Sequence, residues 1–137
     1  MWQVYALLAA VFAALTAIFS KLGVRDVDSG LATAIRVGFI LLLTWGMSLY
    51  AGTWREVRQI GGHTWLFLFL SAVATGLSWL CYFKALQLGD VSKVAPLDKL
   101  SVPLAMLLGV LVLGEPCDLK TVAGGILITA GALLLVL

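Results

Sequence analysis

Five charged side chains fall inside, or at the ends of, otherwise apolar stretches: Lys21, Arg36, Lys84, Asp98 and Lys99. Four cations against one carboxylate give a local charge of +3. Residue types in that ratio suit the holding of an anion, with Asp98 as the one acid able to carry a proton. The adjacent Lys99 and Arg36 favour the ionised form of Asp98, and the two considerations oppose each other. Lys21 and Lys84, near the ends of their stretches, could equally reach headgroups by stretching their stems along apolar surface. The other ingredients of enzyme chemistry are missing. His63 is the single histidine, and no Cys or His pair has metal-ligand spacing. No Gly-rich phosphate loop occurs, and no hydroxyl nucleophile has a base beside it. The expectation is a protein that is not an enzyme and uses no cofactor or metal.

The elements that must position these residues follow from composition. Of 137 residues, 62% are hydrophobic and 12% charged, and mean hydropathy is +1.08. A soluble domain carries roughly 45–50% and 25%, so the composition excludes a cytoplasmic enzyme, a disordered chain and a nucleic-acid binder. Net charge is +2, too small for a phosphate-tracking stripe. Crossing about 30 Å of hydrocarbon takes roughly 20 apolar residues in a helix. Five runs qualify, at about 4–22, 31–50, 64–88, 94–113 and 119–137. Because the runs are unbroken rather than alternating, the expected fold class is an all-α integral membrane protein with five transmembrane helices in one domain, 1–137. The first run resembles a secretory signal in position, but no basic residue precedes it and it is long, so it reads as a retained helix.

The fourth run is the weakest. Pro96, Asp98, Lys99 and Pro103 lie in its first half. Asp98 with Lys99 at mid-bilayer would cost about 5–7 kcal/mol, against roughly 3–6 returned by ten Leu-like residues. Both sit about five residues, or about 7 Å, inside the run. Pro103 frees the carbonyl of Lys99, so the helix is expected to bend between the prolines. On a regular helix residues i and i+1 point about 100° apart, and Asp98 and Lys99 are therefore not expected to pair.

Alternating helices place Arg55, Arg58 and Lys120 on one side and Lys21, Arg25 and Lys93 on the other, a tie of three against three. The positive-inside rule then gives no orientation, which insertion both ways round would explain. Trp2, Tyr50, Trp54 and Trp65 fall near the first of these sides, as an interfacial aromatic belt requires. Cys81 and Cys117 lie toward opposite sides, so no internal bridge is expected. Ala6, Ala10, Ala13, Ala17 and Ser20 make a smooth face on the first helix, and Gly124, Gly125 and Gly131 another on the last. Such faces suit close packing, either within the chain or against a second copy.

The stretch from Tyr82 to Ser101, YFKALQLGDVSKVAPLDKLS, followed by Leu113-Gly114-Glu115, resembles the EamA domain of the drug/metabolite transporter superfamily. So does Phe12 to Gly23, and Arg36 fits the family's habit of an Arg in the second helix. The resemblance covers essentially the whole chain. It implies a secondary carrier of small metabolites or drug-like molecules in the inner membrane of a prokaryote. Members of that family typically join two five-helix repeats in inverted orientation, so a single repeat implies an antiparallel homodimer with alternating access. The substrate-binding residues expected are Arg36, Lys99, Lys84 and Tyr82, with Asp98 as the ion-coupling residue. Expected partners are a small anionic or zwitterionic substrate, membrane lipid and a second copy, with no nucleic acid. The competing reading is a non-transporting membrane subunit that supports or regulates a larger membrane partner.

Overall fold

A computed structural model describes all residues, Met1–Leu137. Every regular element is helical: α1 Trp2–Gly23, α2 Ser29–Ala51, a 3-10 segment Thr53–Gln59, α3 Gly62–Leu88, α4 Val91–Asp98, α5 Ser101–Leu113 and α6 Leu119–Leu134. Four stretches are long and apolar enough to cross a membrane: α1, α2, α3 and the 23 residues from Val91 to Leu113. The fifth, α6, has 16 residues, about 24 Å at 1.5 Å per residue. Four of the five expected spans are thus long and apolar enough to cross, and the fifth is a shorter apolar helix. The last run looked long enough because its apolar composition continues to Leu137, whereas α6 stops at Leu134 and the chain turns there, with Leu137 N–H donating to Leu133 O at 3.0 Å.

The chain divides into two compact units, Phe19–Gln87 and Met1–Ile18 with Leu88–Leu137. In the first, Asp28 starts α2: its Oδ1 accepts from the N–H groups of Gly30 at 2.9 Å and Leu31 at 3.1 Å, satisfying donors that a helix start leaves orphaned. At the other end Gly52 adopts φ +77°, the left-handed conformation that terminates helices at little cost only for glycine. The 3-10 segment follows directly.

The link between α1 and α2 is held from α3. Gln87 Nε2 donates to Val24 O at 2.9 Å and Val27 O at 2.6 Å, and Lys21 Nζ donates to Leu86 O. Leu86 lies in the last turn of α3, where carbonyls have no helical partner and a cation is favoured by the helix dipole. Val24, Phe83 and Leu86 are the most enclosed side chains of this unit.

In the second unit, the span from Val91 to Leu113 breaks at Lys99–Leu100. The break lies between the prolines, as anticipated. Lys99 N–H donates to Pro96 O and Leu100 N–H to Leu97 O, both at 3.0 Å, and the Lys99 carbonyl that Pro103 cannot serve is taken by Val102 N–H at 2.9 Å. Three-residue bonds thus close the turn that proline denies to the α-helical ladder. An apolar groove of about 520 Å³ runs between α5 and α6, lined in part by Pro103, Met106, Val110, Gly125, Thr129 and Leu133. A Cβ at Gly125 would stand 3.7 Å from Met106 Cε and 3.8 Å from Pro103 Cβ, so this glycine faces α5. Gly124 and Gly131 face nothing within 4 Å.

Few side chains are buried. Leu7, Phe39, Leu42 and Phe69 are each about two-thirds or more exposed, and dozens of large apolar residues resemble them. A soluble monomer rarely shows an apolar patch beyond a few hundred Å². Such a surface needs hydrocarbon against it.

Candidate functional site

The α3 residues Trp79, Tyr82, Phe83 and Leu86 follow the i, i+3, i+4, i+7 spacing that puts them on one helix face. Arg36 reaches that face. Its seven-residue offset from Ser29 sets it about 10 Å along α2, and its Cζ lies 3.3 Å from the Trp79 ring centroid and 5.7 Å from that of Phe83. Two edge contacts fix the indole: Tyr82 at 5.5 Å and Phe83 at 5.4 Å, each ring inclined 82° to Trp79. No carboxylate lies within 4 Å of Arg36. The guanidinium therefore meets π faces and keeps its N–H fork for another acceptor.

The other predicted residues are placed differently. Tyr82 is half-buried and belongs to the Trp79 cluster. Lys84 is exposed and lies about 150° round α3 from the middle of the aromatic face, at about 100° per residue. Lys21 is engaged with the Leu86 carbonyl. Asp98 ends α4, and its Oδ2 is 3.3 Å from Lys99 Nζ. That pairing corrects the sequence expectation, which set the two side chains about 100° apart as successive residues of a regular helical turn. Lys99 is the residue after the helix end, with φ −71° and ψ −5°, and the helix break lets its side chain swing back to its neighbour. Both groups stay partly exposed, at 54% for Lys99 and 35% for Asp98.

Sequence reasoning missed Trp79, Phe83 and Gln87. The aromatic spacing in α3 was a usable signal. Gln87 had none, since its partners lie about sixty residues away. Outside the spans, the Asp118 carboxyl is held below the usual carboxylate range by the Thr121 hydroxyl and then by the Thr121 backbone N–H, the latter at 2.8 Å. It caps α6.

All-helical structure with an apolar exterior defines an integral membrane protein. The chain belongs to the EamA-like transporter family, which it matches over residues 1–137. It is 52% identical over 134 residues to an uncharacterized transporter in the cobO 3' region of Sinorhizobium sp, covering 98% of this chain and 95% of that protein. The relative is thus of the same half-size, single-repeat length. No solved structure matches. Family and relative alike are described as transporters.

Proposed function

We propose that the chain is a secondary carrier of small metabolites or drug-like molecules, working as two antiparallel copies with alternating access. Arg36 binds an anionic or zwitterionic substrate group, Lys99, Lys84 and Tyr82 contribute to the substrate path, and Asp98 couples transport to protons. One observation carries this reading: a guanidinium inside a span, stacked on Trp79, with no carboxylate in ion-pair range. A cation at the centre of a span costs about 2.5–3.5 kcal/mol on the insertion scale, and Arg36, about 10 Å along α2, bears part of that cost. The aromatic face offsets about 2 kcal/mol when water is excluded, and a substrate anion would supply the remaining acceptors. Lys99, by contrast, has Asp98 at hand, so Arg36 is the stronger anion site of the two.

The pairing of copies is supported by single-repeat length, shared with the relative, and by the equal charge on the two sides. A thermal-shift panel of carboxylates, amino acids, phosphates and organic cations on purified protein tests the substrate class. Stabilisation by anionic or zwitterionic compounds, lost in Arg36→Gln, is expected; stabilisation by purely cationic compounds alone would overturn it. Single cysteines in the loops after α1 and α2, on a background lacking Cys81 and Cys117, test the pairing in whole cells. Each should label from outside in part of the population, and one uniform orientation would overturn the antiparallel pair.

A further inference from the structure

The 3-10 segment Thr53–Gln59 joins two apolar spans, α2 and α3, and so lies where hydrocarbon gives way to water. Three residues per turn place side chains three apart over one another. Arg55 stacks above Arg58 on one face, Trp54 above Val57 on a second, and Thr53, Glu56 and Gln59 share the third. At about 2.0 Å rise per residue the two arginines stand about 6 Å apart, within reach of the oxygens of one phosphodiester. Both are exposed. The Arg55 guanidinium carbon lies 5.7 Å from the Trp54 ring centroid, and neither arginine has a carboxylate within 4 Å, Glu56 included. Tyr50 and Trp65, 95% and 52% exposed, flank the segment with the amphipathic rings that favour the headgroup level.

We infer that this segment is a binding site for anionic phospholipid headgroups. The Arg55 and Arg58 forks take the phosphodiester, and Trp54 and Val57 rest on the upper acyl chains. Guanidinium groups match phosphate oxygens in geometry as well as charge. The site stands on α2, the 3-10 segment and α3 alone and does not depend on what the chain transports.

The test uses full-length protein with a single tryptophan, either Trp54 or Trp2, the others replaced by Phe. Each variant is reconstituted in phosphatidylcholine vesicles in which a minority lipid, phosphatidylglycerol or phosphatidylcholine, carries brominated chains that quench tryptophan. Trp54 should select phosphatidylglycerol by at least about fivefold, the worth of one arginine near an anionic surface, and Trp2 should not discriminate. Selectivity at Trp54 should vanish in Arg55→Gln/Arg58→Gln, persist at reduced strength in Arg55→Lys/Arg58→Lys, which keeps the charge without the fork, and fall with added sodium chloride. Inorganic phosphate should do no more than chloride at equal ionic strength. Equal quenching by both lipids, or selectivity unchanged by the Gln pair, would overturn the site. Abolition by inorganic phosphate alone would overturn the headgroup as its occupant. The Lys pair guards against misfolding, since loss of selectivity in it and the Gln pair alike, with helical circular dichroism retained, would also overturn the charge argument.

Discussion

Arg36 and Trp79, forty-three positions apart in sequence, meet with the guanidinium carbon 3.3 Å from the indole centroid. The contact joins α2 to α3 inside the span and substitutes a ring quadrupole for the missing counter-ion. Tyr82 and Phe83 hold the indole edge-on, so the cation rests on a fixed surface.

A double-mutant cycle measures that contact. Trp79→Leu, which leaves the guanidinium without its ring, should destabilise the protein in detergent, and less so where Arg36→Met has already removed the charge. Together they should cost less than the sum, with a coupling of about 1–2 kcal/mol. Denaturant unfolding followed by circular dichroism reads it, and additivity within about 0.5 kcal/mol would deny the interaction.

Asp98→Asn separates coupling from binding. Proton-driven accumulation should be lost while exchange of substrate across vesicles continues, because Asn keeps the size and a polar contact with Lys99 but cannot release a proton. Loss of binding together with transport would make Asp98 a ligand or structural residue instead.

Two glycines should respond in opposite directions. A Cβ at Gly109 meets Glu115 Oε2 at 2.8 Å, the far end of a flexible side chain that can move aside. Gly109→Ala should therefore gain helix propensity, about 0.5–1 kcal/mol. Gly114, at φ +68°, ends α5 in the left-handed region, and Gly114→Ala should lose about 1–2 kcal/mol. Thermal unfolding of the two variants in one detergent compares the signs.

The Asp118 cap gives a pH dependence. Its carboxyl is held below 3.8 by Thr121, so the ionised cap stabilises the folded protein fully above the ordinary carboxylate value. That stability is lost as pH falls through the lower, folded value. Thr121→Val removes the leading cause and should raise the Asp118 midpoint toward 3.8, measured by the carboxyl carbon shift in NMR. An unmoved midpoint would show that the hydroxyl plays no part.

Much of this architecture is written in local sequence. The apolar runs gave the helices, and Pro96 with Pro103 gave the break at Lys99–Leu100, because both are decided within a few residues. The Arg36 site was half legible. Its charge stood out against apolar neighbours, but its partner did not, since an aromatic inside an apolar run looks like any lipid-facing residue. The Asp98–Lys99 pair was misjudged for the converse reason: regular helix geometry was applied to a residue that begins a turn. The length of α6 was overestimated because hydropathy reports what lipid tolerates and not where hydrogen bonding stops.

The bonds from Lys21 to Leu86 and from Gln87 to Val24 and Val27 span 65, 63 and 60 residues. A ribosome extending the chain at about 5–20 residues per second needs roughly 3–12 s to add that many. For the last 36 residues of that stretch, from the end of α2 at Ala51 to Gln87, the first two helices are already made while the side chain and carbonyl that fasten their connecting turn are not. The early hairpin is therefore unlatched when it meets the insertion machinery and is fastened only when the end of α3 arrives.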